Sequence, residues 1–170
     1  MLFNVGTGPA CSSLLNVSAD NKFWCAQAKQ QMPVLVFTLQ DLLALIPPRP
    51  TITSLHLKVD AEGADLIVLK GADTAIHRLD TIIIECKAPD GERHHEDECY
   101  FDQAEAFLRA QGFNGVGAEA QGGLVNGYFW KTKNSNSHNN QTINNKSSIV
   151  PSFLKQGPIT HANLYQKMKT

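Results

Sequence analysis

The sequence has few cysteines, and no two of them form a C-x-x-C pair. Such sparse thiols exclude a small secreted scaffold that is stapled by disulfide bonds. The pattern favours a reducing compartment, so we expect a cytoplasmic protein. The four cysteines are Cys11, Cys25, Cys86 and Cys99.

Long apolar runs and an excess of one charge are also missing. No run approaches the roughly 18 apolar residues that a membrane-spanning helix needs. The N-terminus has no basic residue ahead of its short apolar stretch, which makes it a poor signal peptide. Fifteen Lys+Arg against sixteen Asp+Glu leave a net charge of -1. Because nothing in this balance attracts nucleic acid or an anionic membrane, we expect neither as a partner.

What the chain does contain is enough apolar sequence for one core. It has 170 residues, of which 42% are hydrophobic, and this length suits one domain better than two. Residues 134–148 are almost entirely polar, rich in Asn and Ser, and without a period. We therefore expect one domain over residues 1–133 and a disordered tail over residues 134–170.

Within this domain, strand patterns and helix patterns alternate. Apolar or β-branched runs predict strands at 34–37, 55–60 and 81–85. Each is followed by a helical pattern: the first begins with a capping pattern at 38–41, the second ends at Gly71, and the last ends at Gly112. Asp73 is expected to cap a further short helix. Two final runs, 113–118 and 125–132, are joined through Gly122 and Gly123 and predict an antiparallel hairpin.

This order of elements predicts an α/β fold. Alternating strands and helices imply a mostly parallel sheet with helices on its faces, here with a C-terminal antiparallel hairpin. The uninterrupted β-branched run at 81–85 predicts a strand in the sheet interior that is covered on both faces.

Acidic residues follow two of the predicted strands. Asp60 and Glu62 come after one strand and Glu85 ends the next. Ligands of such sheets bind outside the carboxyl ends of the strands, where a carboxylate can bind ribose or amine groups, hold a metal or act as a base. The alternative is that Asp60 and Glu62 only begin the next helix, where acidic side chains suit the helix dipole.

The sequence around these acids resembles a known family. Residues 57–72 read LKVDAEGADLIVLKGA and closely resemble the signature of FkbM-type methyltransferases: a strand, D-x-E-G, then a helix ending L-x-G-A. Three flanking blocks agree in order: CSSLL at 11–15, FTLQDLL at 37–43 and IIIE at 82–85. Together these blocks cover roughly residues 2–133, and their agreement in order is more specific than any one of them.

The resemblance implies a Rossmann-like methyltransferase that uses S-adenosylmethionine, often to methylate a hydroxyl oxygen. The acceptor would be a small molecule or a sugar. By this resemblance, Asp60 is the catalytic residue and lies beside the methyl donor, with Glu62 and Gly63 completing the cofactor-binding turn. Glu85 would line the substrate side. Most of the rate acceleration would come from holding the acceptor in line with the sulfonium methyl group.

One part of the family pattern differs. The family places a glycine-rich cofactor loop and a second acidic strand end upstream of its Ser-Ser-Leu segment, which here is at 12–14. The G-T-G at 6–8 is too close to Asp60 to be that loop, because a strand-helix-strand unit takes about 30 residues or more. We therefore expect an N-terminally truncated domain that corresponds to the C-terminal half of the enzyme. A second interpretation is a non-catalytic remnant or interaction module, and an exposed sheet edge predicts self-association.

A further set of polar residues lies between Glu85 and Cys99. Cys86 and Cys99 with His94 or His95 are zinc-type ligands, but their spacing matches no zinc pattern. The favoured interpretation is a solvated polar loop over 94–98 with two small, partly buried cysteines. We therefore predict no metal site.

Overall fold

The computed structural model describes residues 1–7, 12–18 and 30–132. The predicted tail at 134–170 lies outside these residues, as do Cys11 and Cys25. The elements in chain order are β1 (Leu2–Val5), β2 (Gln30–Pro33), α1 (Leu39–Ala44), β3 (His56–Val59), α2 (Asp65–Lys70), a 3₁₀ helix (Asp73–Arg78), β4 (Thr81–Lys87), α3 (Phe101–Ala110), β5 (Gly115–Gln121) and β6 (Leu124–Trp130).

The main sheet is mixed and has the strand order β3-β4-β6-β5. Strands β3 and β4 pair in parallel, whereas β6 pairs antiparallel with both β4 and β5. The expectation of a mostly parallel sheet is therefore wrong for the described residues. The reason is the hairpin, which is confirmed: its return strand β6 inserts between β4 and β5, so only one of three pairings is parallel.

The N-terminal strand pair forms a separate two-stranded antiparallel sheet, β1 with β2. We expected a strand at 34–37, but the strand lies at 30–33, directly before it. The pairing with β1 reaches only as far as Val34, whose N–H donates to the Met1 carbonyl oxygen. Leu35 and Phe37 lie beyond this ladder and are exposed.

One face of the main sheet forms the core. In β4 the side chains of Ile82, Ile84 and Cys86 are buried, and the alternate side chains are only half-buried. The expectation that this strand is covered on both faces is therefore wrong, although its interior position between β3 and β6 is confirmed. The buried face packs into one cluster with side chains of all three α-helices and the 3₁₀ helix, among them Leu43, Leu69, Ile76, Ala104 and Leu108.

The helix boundaries follow local signals. Thr38 and Asp41 form the predicted capping box of α1, since each side chain accepts a hydrogen bond from the other residue's N–H. Gly71 ends α2 as expected. Asp73 differs from its prediction: it is the first residue of the 3₁₀ helix, and no side chain caps that helix.

Strand β3 is an edge of the main sheet, so its outer side has no strand partner among the described residues. Exposed apolar side chains also occur in α1 and directly before and after it, at Leu35, Phe37, Leu42 and Leu45. Unpaired edges and exposed apolar side chains both favour association. Self-association of this chain remains a prediction.

Candidate active site

The D-x-E-G motif forms a tight turn directly after β3. Glu62 and Gly63 both adopt the left-handed region, with φ of 48° and 94°. A side chain at Gly63 would also lack space, because an added Cβ would lie 3.1 Å from the Cβ of Glu98. The turn therefore requires glycine at 63, and it holds Asp60 and Glu62 at the carboxyl end of the strand.

The buried carboxylate of Asp65 holds this turn from inside. Asp65 is 1% exposed and accepts hydrogen bonds from the N–H groups of Ala61 at 3.0 Å and Gly63 at 3.1 Å. Burial raises the pKa of Asp65 to about 6, although the two backbone hydrogen bonds act in the opposite direction. We did not single out this residue from the sequence. A sequence signal for it did exist, because Asp65 lies two positions after Gly63. Asp side chains at such short separations commonly accept hydrogen bonds from the backbone N–H groups of the preceding turn.

Two distant segments hold the turn from outside. The Ser13 hydroxyl donates to the carbonyl oxygen of Glu62 at 2.8 Å, and the Cys99 N–H donates to the carbonyl oxygen of Gly63 at 2.8 Å. The Ser-Ser-Leu segment and the loop before α3 therefore both contact the D-x-E-G turn. Because buried backbone groups need partners, these two bonds also fix the backbone of the turn.

The predicted acidic residues lie at the same edge of the sheet. Val59 is the last residue of β3 and pairs with Ile84, so Asp60 directly follows β3 and Glu85 is the next residue of β4. Glu62 is exposed, but its carboxylate is partly desolvated. This desolvation raises its pKa, and the negative charges of Asp60, Glu85 and Asp65 raise it further. Asp60 is 40% exposed at its side chain and forms an ion pair with Lys58 at 2.7 Å. Neither acid caps α2 through a hydrogen bond, since the N-terminus of that helix has no side-chain cap.

Sequence reasoning missed two groups at this edge, Lys87 and Glu98. The Nζ of Lys87 lies 2.8 Å from Nδ1 of His94. Burial lowers the pKa of Lys87, while Glu98, Glu85, Glu92 and Glu62 act in the opposite direction. Glu98 is buried and accepts hydrogen bonds from the backbone N–H groups of His94 and His95. The expectation of a solvated loop over 94–98 is therefore wrong for His95 and Glu98, which are both buried.

A disulfide bond joins Cys86 to Cys99. Because both sulfur atoms form this bond, the alternative in which the two cysteines bind zinc is wrong. The expectation of two separate small side chains is wrong for the same reason. Within the part of the chain that the structure describes, no three His, Cys, Asp or Glu side chains are grouped as metal ligands. Disulfides persist mainly in oxidising compartments, and the reducing compartment that the sparse cysteines indicate stays a prediction.

The effect of Asp65 on stability should depend on pH. Its folded pKa of about 6 lies above the ordinary value of 3.8, so its contribution to stability is complete below pH 3.8 and is lost as the pH rises to about 6. The loss should amount to about 3 kcal/mol. Urea unfolding of the wild type and of Asp65→Asn across this range measures it, because the variant lacks the titrating group. Parallel stability curves for the two chains would contradict the prediction.

Together, these features describe a mixed α/β domain with Asp60 and Glu62 directly after β3 and Glu85 near the carboxyl end of β4. Open α/β sheets bind small ligands outside the carboxyl ends of their strands. Residues 2–114 match the family model described as the methyltransferase FkbM domain, and the chain belongs to this family. This confirms the resemblance seen in the sequence motifs. No curated protein and no solved structure matches the chain. Among the described residues, no helix is long and apolar enough to cross a membrane.

Proposed function

We propose that this chain is a Rossmann-like methyltransferase domain that takes its methyl group from S-adenosylmethionine. Its acceptor would be a hydroxyl oxygen of a small molecule or a sugar. The observation that carries the proposal is the D-x-E-G turn, which presents Asp60 and Glu62 beside Glu85 at the edge where such sheets bind ligands. Family membership supports a methyltransferase activity in general.

The turn fits a ligand that carries hydroxyl and amine groups. Asp60 and Glu62 are exposed carboxylates on a backbone that Asp65, Ser13 and Cys99 hold in place. Carboxylates accept hydrogen bonds from ribose hydroxyls and from amines, so Asp60, Glu62 and Gly63 would hold the cofactor. The cofactor supplies an electrophilic methyl group on a sulfonium.

On the substrate side, Glu85 would bind the acceptor molecule, since it follows Ile84 on the strand next to Asp60. Asp60 would orient the attacking hydroxyl group or take its proton. A carboxylate that fixes the attacking oxygen supplies proximity and orientation, which are the main needs of a methyl transfer between two bound molecules.

Calorimetric titration of the full chain with S-adenosylmethionine tests this proposal. We expect saturable micromolar binding, which Asp60→Ala should weaken by about tenfold or more because a charge-assisted hydrogen bond is lost. The matched control is Asp102→Ala, which removes an exposed carboxylate from the first turn of α3. No saturable heat from a folded sample would contradict the proposal and favour the non-catalytic module.

A further inference from the structure

Asn126 of β6 carries an amide that the proposed function leaves without a role. The register of the sheet pairs it directly with Glu85 of β4, which is the residue proposed to bind the acceptor. Side chains that lie opposite each other in an antiparallel pair project from the same face, with Cβ atoms about 4.5–5.5 Å apart. The sheet therefore places the Asn126 amide beside the acceptor-binding carboxylate.

The helices leave this face of the sheet open. On the opposite face of β6, Gly127 lies against α3, since an added Cβ there would be 2.6 Å from the ring of Phe101. Successive side chains of a strand point to opposite faces, so Asn126 points away from α3. The side chains of Asn126 and Glu85 are only half-buried. A ligand can therefore reach both groups from solvent.

The amide of Asn126 has no partner of its own among the described residues. It lies between two carboxylates, Glu85 on one side and Glu119 of β5 on the other. Within the described part of the chain, however, neither the Asn126 amide nor the Glu85 carboxylate forms a hydrogen bond. An amide both donates and accepts, whereas a carboxylate only accepts. The two side chains together therefore fit two neighbouring hydroxyl groups, one that donates to Glu85 and one that bonds to Asn126.

The same face connects this pair to the D-x-E-G turn. Lys58 of β3 pairs with Ile83, so its side chain lies on the face that carries Glu85. The Nζ of Lys58 donates to the carboxylate of Asp60 at 2.7 Å, which keeps that carboxylate on the same side. Neighbouring strands lie about 4.8 Å apart, so the row from Asp60 through Glu85 to Asn126 extends over roughly 10 Å. A ligand along this row meets polar groups at several points, which suits a ring that carries several hydroxyl groups.

We propose that the methyl acceptor is a carbohydrate and that Glu85 and Asn126 bind two neighbouring hydroxyl groups of its ring. The hydroxyl that receives the methyl group points to Asp60, at the end of the row where the methyl donor is bound. Asn126 is a specificity residue, since it holds the acceptor and takes no part in the bonds that form and break. This inference rests on the proposed function and narrows its acceptor from a small molecule or a sugar to a carbohydrate.

The first test needs no methyl donor. The isotope-labelled full chain is titrated with a panel of methyl glycosides, and the side-chain amide signal of Asn126 is followed by NMR. We expect a saturable shift of this signal, which is assigned by its loss in Asn126→Ala. The side-chain amide of Asn114, an exposed residue after α3, is the internal control and should not shift. An Asn126 signal that no glycoside shifts overturns the contact.

The second test follows transfer of a radioactive methyl group from S-adenosylmethionine to the same glycosides. Asn126→Ala should raise the KM for the glycoside by about tenfold, because hydrogen bonds to the acceptor are lost. Its kcat and its affinity for S-adenosylmethionine should stay within about threefold of the wild type, because the contact exists equally in the ground state and the transition state. Asn114→Ala is the matched control and should leave all three quantities unchanged.

Deoxy analogues separate a direct contact from a structural role. In a set of singly deoxygenated glycosides, the one that lacks the hydroxyl bound by Asn126 should have a KM about tenfold above that of its parent in the wild type. In Asn126→Ala the analogue and its parent should have the same KM, because the partner of that hydroxyl is gone and the two changes are not additive. A variant that discriminates as well as the wild type overturns the role of Asn126.

These readouts distinguish the two proposals. A chain that binds glycosides at Asn126 but binds no S-adenosylmethionine contradicts the proposed function and retains the carbohydrate contact. Methyl transfer to a glycoside that proceeds equally well in Asn126→Ala contradicts only the role of Asn126. Binding of S-adenosylmethionine by a chain that neither binds nor methylates any glycoside overturns the carbohydrate acceptor.

Discussion

Gly63→Ala should abolish saturable binding of S-adenosylmethionine and lower the free energy of unfolding by about 1–3 kcal/mol or more. Gly63 has a φ of 94°, which an alanine adopts only with strain. The added Cβ would also lie 3.1 Å from Cβ of Glu98 and 3.4 Å from Leu15. To relieve this contact the turn must move away from the loop before α3, and Asp60 and Glu62 move with it. Calorimetry and urea unfolding measure the two effects.

Gly112→Ala is the matched control for this experiment. Gly112 has a φ of 88°, close to that of Gly63, but an added Cβ would meet no atom within 4 Å. The control therefore carries the same backbone strain without the crowding, and it lies at the end of α3. It should lose about 1–3 kcal/mol and keep its affinity for S-adenosylmethionine. Equal losses of affinity in the two variants would show that the turn is not the binding element.

The parts of the fold that were predictable from sequence are those with short-range signals. Gly122 and Gly123 both have positive φ and connect β5 to β6, as their position between two apolar runs predicts. The capping box of Thr38 and Asp41 involves residues three positions apart. The presence of a turn at D-x-E-G belongs to the same group, because an acidic strand end and one glycine indicate it, whereas the bonds from Ser13 and Cys99 that fix its backbone are long-range.

The position of β2 and the covering of β4 depend on long-range pairing. The segment at 34–37 is more apolar than 30–33, but only the latter lies opposite β1. Likewise, β-branched residues in β4 do not reveal that helices cover only one of its faces, because a half-covered strand can also be apolar throughout. Composition measures the tendency to form a strand, whereas partners determine where the strand lies and which faces are buried.

The positions of the proposed site residues were predictable from sequence, whereas those of the residues around them were not. Asp60, Glu62, Gly63 and Glu85 are close in sequence to strand ends, so the topology alone places them at one edge. The bond from Ser13 to Glu62 spans 49 residues, and no local pattern indicates it. The contact of Lys87 with His94 spans only seven residues, but it depends on the path of an irregular loop. From sequence alone, a loop of histidines and acids is expected to be solvated, and only the folded chain shows that His95 and Glu98 are buried.

Removal of the disulfide through Cys86→Ala with Cys99→Ala should lower the free energy of unfolding by about 3 kcal/mol. The bond closes a loop with a sequence separation of 13 residues, and the entropy that it removes from the unfolded chain is lost in the double variant. Binding of S-adenosylmethionine should also weaken. The closed loop carries Glu98 and ends at Cys99, whose N–H holds the Gly63 carbonyl oxygen, so a freer loop holds the turn less firmly.

A dithiol reductant supplies the control, because it cleaves the bond without changing the sequence. In urea unfolding, the reductant should bring the stability of the wild type most of the way down to that of the double variant, whose own curve should not move. This second arm separates the loss of the cross-link from the loss of two buried sulfur atoms, which also pack in the core. If the double variant is as stable as the oxidised wild type, the loop is held by its hydrogen bonds alone. A reductant that shifts both curves equally would mean that another disulfide in the chain is responsible.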